Sequence, residues 1–210
     1  MLNLKNQVVF ICGRYTVFSE AEIIEMHAII EEIGRKFGSE AIKTGEIFPT
    51  NVAPVLTLND NRLAPYPVSW GFPRWDGKGT IINARSETAL EKRMFSKSLL
   101  TRRCVIPSTG FFEWLHVDGK AQKDKFLFCR PGKRMLFMAG MIDTFKGADG
   151  VARDTFVILT TGANASMSPF HDRMPVILSP EERENWIADE SFMRLVLARK
   201  GPELIWEKAG

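Results

Sequence analysis

Residues 102–115 read Arg-Arg-Cys-Val-Ile-Pro-Ser-Thr-Gly-Phe-Phe-Glu-Trp-Leu. Two short runs stand out, Cys104 to Pro107 and Gly110 to Leu115. Both are rich in β-branched and aromatic residues and too short for a helix, so both read as strands. The same signature recurs downstream at Lys125 to Cys129, Met135 to Ile142 and Thr155 to Thr161. Asp118-Gly119 and Pro131-Gly132 are the expected hairpin turns among the strands from 110 to 142. Upstream, Pro49, Pro54, Pro65, Pro67 and Pro73 punctuate short apolar runs at Val55 to Leu58, Val68 to Phe72 and Thr80 to Ile82. Gln7 to Phe18, with Arg14 and Thr16 interleaved, reads as a further strand.

Helical spacing is confined to a few places. Ser19 and Glu22 form a capping box ahead of Ile23, Met26, Ile30, Ile33 and Phe37, and Gly38 ends that helix. Thr88 to Met94 reads as a short helix. Ser179-Pro180-Glu181-Glu182 reads as a helix start, and Phe192, Leu195 and Val196 continue a helical pattern to Arg199. Many short strands with few helices predict an α+β fold. It is a single domain, mostly antiparallel β, with a barrel-like core and peripheral helices.

The chain has 210 residues, 45% of them hydrophobic and 25% charged, the balance of an ordinary globular domain. It shows no repeat, no low-complexity linker, no membrane-length apolar run and no signal-peptide pattern, so a cytoplasmic protein is expected. The net charge of +3 does not by itself announce a nucleic-acid binder, and it leaves room for a local basic groove. The three cysteines, Cys12, Cys104 and Cys129, are widely spaced and suggest no disulfide framework and no CxxC site. The three histidines, His27, His116 and His171, are too far apart for a zinc site; no metal is expected. His27 and His116 read as structural.

Four segments carry candidate chemistry. Cys12 is followed by Gly13-Arg14, and a cation beside a thiol favours thiolate; the plainer reading is a small buried hydrophobe. In Asn83-Ala84-Arg85-Ser86-Glu87, alternation points Asn83, Arg85 and Glu87 to one side of an extended chain; the alternative is a helix start capped by Ser86. Glu113 lies among Phe111, Phe112 and Trp114. Held against that surface it would be a proton-transfer group with a raised pKa; pointed outward by alternation it would be a solvated charge. His171-Asp172-Arg173 sits in a loop bounded by Pro169 and Pro175, which suits a positioned imidazole or an ordinary turn.

Together these segments run in one order: Cys-Gly-Arg-Tyr at 12–15, Pro-Thr-Asn-Val-Ala-Pro at 49–54, Ser-Trp-Gly at 69–71, Asn-Ala-Arg-Ser-Glu at 83–87, the 102–114 stretch, and His-Asp-Arg-Met-Pro at 171–175. That series resembles the SOS response-associated peptidase (SRAP) family, over nearly the whole chain from Cys12 to the last helix. The resemblance implies binding of single-stranded DNA and a covalent thiazolidine cross-link to an abasic site. It assigns the amine and thiol to Cys12. Asn83 would position that residue, while Glu113 and His171 would move protons. Arg14, Arg85 and Arg173 would lie on the DNA with Trp70, Asn51 and Pro54. No cofactor, no membrane and a monomer are expected. The rival readings are a thiol peptidase built on Cys12 and His171, and a noncovalent single-stranded DNA-binding module.

One feature departs from the family pattern, in which the cysteine follows the initiator methionine. Here residues 1–11 precede Cys12 as an N-terminal extension to the domain at 12–210. A backbone amide cannot form a Schiff base, so cross-linking requires removal of residues 1–11. An N-to-S acyl shift at Cys12 followed by hydrolysis would achieve that autoproteolytically.

Overall fold

The computed structural model describes residues 13–18, 23–115, 124–147 and 149–209. The chain runs β1 (Arg14–Val17), α1 (Ile24–Phe37), β2 (Gly45–Ile47), β3 (Val52–Asn59), β4 (Arg62–Trp70), β5 (Phe72–Pro73), β6 (Thr80–Ile81) and β7 (Asn83–Arg85). It continues with α2 (Arg93–Thr101), β8 (Arg103–Ser108), β9 (Gly110–Leu115), β10 (Asp124–Cys129), β11 (Leu136–Lys146) and β12 (Ala152–Gly162). The last part holds β13 (Arg173–Pro175), β14 (Ile177–Leu178), a 3-10 turn (Pro180–Glu182), α3 (Arg183–Ala188), α4 (Glu190–Ala198) and β15 (Ile205–Lys208).

Strands β12, β4, β3, β8 and β11 pair in that order, and β11 pairs again with β12, which closes the ring into a barrel. Closure removes the sheet's open edges. Along the barrel strands, side chains alternate between two environments. Ala53, Val55, Ile106, Met138, Phe156 and Ile158 join one core cluster. Leu56, Val105, Phe137, Ala139, Val157 and Leu159 join another, with Ile29 and Ile33 of α1, Leu99 of α2, Trp186 of α3 and Met193 of α4. The amphipathic helices thus coat the barrel wall. Burying each such side chain contributes about 1.5–3 kcal/mol. Gly140 of β11 is where the wall is tightest: a Cβ there would lie 2.3 Å from Ile106 Cδ1 and 2.6 Å from Val157 O.

A five-stranded sheet, ordered β15-β10-β9-β1-β2, supplies the other side of the first cluster through Tyr15, Phe111, Phe126 and Phe128. The α+β, single-domain, barrel-like architecture expected from sequence is therefore present.

Two local expectations differ. Residues 88–92 form turns, and α2 starts at Arg93. Local turn bonds hold this stretch, with Glu91 N–H and Lys92 N–H both donating to Thr88 O at 3.1 Å and Ala89 buried, while just before it Ser86 N–H donates to Thr160 O (2.8 Å). The helix begins where Phe95, Ser98 and Leu99 can share a buried face. Pro131-Gly132 is a turn but joins no hairpin: β10 already has β9 and β15 on its two edges, so β11 crosses to the barrel. The strand signal at 7–12, the capping box at Ser19 and the Asp118-Gly119 turn lie outside the described residues.

Candidate functional site

Glu113 sits on β9 opposite Phe126, on the same face as Phe111. That face is the inner one, and Glu113 is only 3% exposed. Alternation therefore points this carboxylate into the aromatic interior. The β1·β9 register pairs Arg14 with Phe112. The chain at Gly13, one step beyond, leaves the strand alongside Glu113. Cys12 itself lies outside the described residues.

Phe126 links Glu113 to the histidine loop. Its ring meets Phe170 edge-on at 5.0 Å, and His171 follows directly. The loop is tied by His171 N–H to Met167 O (3.1 Å) and Ala163 N–H to Asp172 O (2.9 Å). The His171 side chain is mostly buried, and its Nδ1 accepts the Arg173 backbone N–H at 3.0 Å. Burial holds its pKa below the ordinary imidazole value; the Asp172 carboxylate opposes that and the Arg173 charge adds to it.

Asn83 reaches the same region from the barrel. It pairs in parallel register with Ile158, and Arg85 pairs with Thr160. Asn83 shares the Ile158 face, which belongs to the cluster containing Phe111 and Phe126. Its Oδ1 is buried. Asn83, Glu113 and His171 thus border one core cluster from three elements. Arg85 is exposed on the same strand as Asn83.

Four DNA-contact expectations meet a different environment. Trp70 is fully buried, donates Nε1–H to Ile82 O (3.1 Å) and stacks on Phe156 at 6.2 Å, so it cannot support a base. Pro54 is buried in β3, paired with Pro67. Asn51 is committed to a turn: its Oδ1 accepts Phe48 N–H at 3.0 Å, and its backbone carbonyl accepts Trp70 N–H at 2.9 Å. Arg173 is 9% exposed and its guanidinium is engaged by Glu87 at 2.6 and 2.7 Å, so it is not an open phosphate contact.

Arg14 is half-exposed on the outer face of the five-stranded sheet. Its guanidinium lies over Phe48 (4.4 Å) and Trp114 (4.9 Å) and pairs with Glu46 at 3.1 Å. Lys125 joins from β10, 2.9 Å from Glu46 and 3.8 Å from the Phe112 ring centroid. Burial pushes the Glu46 pKa up, but the hydrogen bonds from Lys125 and Arg14 outweigh it and keep the carboxylate ionised. Lys125 was missed in the sequence because only cross-strand pairing brings it here. Trp75 was missed too. It is 90% exposed in the β5–β6 turn between Arg74 and Lys78, immediately before the Asn83 strand. An aromatic beside two cations was the signal that could have found it.

No group of ligating side chains among the described residues could hold a metal ion. No described helix is long and apolar enough to cross a membrane.

The fold defines a small α+β protein built on a closed β-barrel, with Asn83, Glu113 and His171 placed on three separate elements around its core. The SOS response associated peptidase (SRAP) profile matches residues 11–203, and the chain belongs to that family. It is 36% identical over 190 residues to the abasic site processing protein YoqW of Bacillus subtilis, covering 84% of this chain and 80% of that protein. It is 32% identical over 183 residues to the abasic site processing protein YedK of Escherichia coli, covering 85% and 80%. A Bacteroides thetaiotaomicron crystal structure superposes with a TM-score of 0.78 at 23% identity, over 94% of this chain and 91% of that one, and supports the fold.

Proposed function

We propose that this protein processes abasic sites in DNA, binding the lesion in a single strand and cross-linking to it through Cys12 once residues 1–11 have been removed. The free Cys12 amine attacks the aldehyde of the ring-opened sugar, and one water leaves to give an imine. The thiol adds to the imine carbon and its proton goes to the nitrogen, closing a thiazolidine. Glu113 and His171 carry the protons, Asn83 holds the terminal residue, and Arg85 binds a flanking phosphate. Arg14 and Trp75 extend the DNA path over the exposed surface, since backbone charge and base stacking suffice for binding without sequence preference.

The observation that carries this reading is the burial of the Glu113 carboxylate on the inner face of β9, opposite the Phe126 ring that leads to His171. A carboxylate held in place on an enclosed inner face is suited to passing protons to and from a reacting group.

The test compares the full-length chain with a form beginning at Cys12, each incubated with single-stranded DNA bearing one abasic site and resolved under denaturing conditions. The shortened form should give a covalent product and the full-length chain should not until it is processed. Cys12→Ala should abolish the product and leave noncovalent binding in place. Glu113→Gln should slow its formation by about a hundredfold or more, the range for a lost proton-transfer group. A Cys12→Ala product at the unmodified rate contradicts the chemistry.

A further inference from the structure

We infer that Glu87 is a positioning residue for His171, acting through Arg173. The inference rests on the reading of His171 as a proton carrier. Arg173 is held at both ends. Its guanidinium donates to both Glu87 carboxylate oxygens, at 2.6 and 2.7 Å, and Nη2 also donates to Thr160 O at 2.7 Å. Its Nε is buried with no hydrogen-bond partner among the described residues, so the grip rests on the terminal nitrogens. The other end is the backbone N–H, which donates to His171 Nδ1.

That last bond sets the tautomer. An acceptor Nδ1 carries a lone pair, so a neutral imidazole bonded in this way holds its proton on Nε2. Asp172 competes. Its Oδ1 lies 2.7 Å from the same Nδ1, and its side chain is 81% exposed. A carboxylate can accept only from a protonated Nδ1, so the nitrogen cannot serve Asp172 and the Arg173 N–H at once. The Glu87–Arg173 pair fastens the 171–173 loop to the turn after β7 and thereby favours the Nε2–H form. Release of that pair hands Nδ1 to Asp172 and moves the proton to the wrong side of the ring.

Glu87 bonds the Arg173 guanidinium, and the Arg173 backbone N–H in turn bonds His171 Nδ1. A bidentate carboxylate–guanidinium pair has the directionality this role requires. Glu87 carries a carboxyl kept below its usual range, first by the Arg173 hydrogen bonds, so it is ionised at neutral pH.

The test is nitrogen NMR of histidine-labelled protein, with His171 assigned by His171→Asn, in the wild type, Glu87→Gln and Glu87→Ala at a pH where the ring is neutral. The wild type should hold the Nε2–H tautomer. Glu87→Ala should lower the ratio of Nε2–H to Nδ1–H about tenfold, the worth of one lost hydrogen-bond restraint. Glu87→Gln, which keeps an acceptor for the guanidinium, should restore most of it. In the cross-linking assay Glu87→Ala should slow the covalent step while DNA affinity stays within about twofold, since Glu87 is assigned no DNA contact. An Nδ1–H tautomer in the wild type, or an unchanged ratio in a folded Glu87→Ala protein, overturns the inference. So does a loss of DNA affinity equal to the loss in rate. The NMR arm contains no DNA: a wild-type protein that never cross-links defeats the proposed function, whereas the tautomer ratio decides the Glu87–His171 coupling.

Discussion

Single residues set the chemistry of this site through their surroundings. His171 is the clearest case for a pH measurement. The folded environment favours its neutral form, first by burial and then by the Arg173 charge, against the pull of Asp172. Its titration midpoint should therefore fall below 6.5, the ordinary value, when followed by NMR in the folded protein. The sign of the stability effect follows. Just below pH 6.5 the unfolded chain binds more protons than the native one, so stability rises with pH across that window and is lost on acidification. Glu87 acts in the same direction at lower pH, because a depressed carboxyl stabilises above its unfolded pKa and ceases to do so as pH falls through its folded pKa. A His171 midpoint at or above the ordinary value would contradict this account of the loop. At the same scale, Glu113→Gln separates proton transfer from packing, because the amide keeps the shape of a side chain that is almost wholly buried.

At the scale of elements, the β5–β6 turn is the part most exposed to a ligand. Trp75 packs against nothing that its 90% exposure would allow to matter for the core, while Arg74 and Lys78 flank it. Arg74 is steadied by Asp76 at 2.9 Å. Trp75→Ala should weaken single-stranded DNA binding by about 1–3 kcal/mol, roughly fivefold to over a hundredfold, if one base stacks on the indole. The melting temperature should stay within a degree or so of wild type, since surface substitutions usually change stability little. Equal affinity of the variant and wild type in a fluorescence titration would remove the turn from the DNA path.

Elements also show what the sequence makes legible. Strands β11 and β12 announce themselves by continuous apolar, β-branched runs, and α1 by helical spacing that ends at Gly38. Strands β7, β13 and β14 have only two or three residues each and pair with stretches of β12 and β11 beyond their barrel partners. No local pattern predicts such pairing. Among site residues, Asn83, Glu113 and His171 were marked by unusual polar residues in apolar or proline-bounded segments. Trp70 was named only through the family resemblance and is fully buried, because a motif does not distinguish a residue that meets the ligand from one that supports the wall behind it. The Glu87–Arg173 pair spans 86 residues of sequence and became visible only once β12 brought its two ends together.

At the scale of the whole molecule, the modest net charge of +3 conceals how many cations are already committed. Arg102 pairs with Asp154, Arg199 with Glu182 and Arg183 with Glu25, all structural contacts. In the proposed complex the exposed Arg85 is one of the cations that would meet the DNA backbone and release counterions from it. The closed barrel gives the proposed site a frame, and the five-stranded sheet pairs Arg14 with Phe112, the neighbour of Glu113. In the proposed chemistry Cys12 acts as a free N-terminal nucleophile toward an abasic site. Intact mass spectrometry before and after mixing with single-stranded DNA carrying one abasic site tests it most directly. The account predicts a protein species that begins at Cys12, and an adduct equal to that species plus the DNA less one water. A form made to begin at Cys12 that binds this DNA and yet yields no adduct would contradict it.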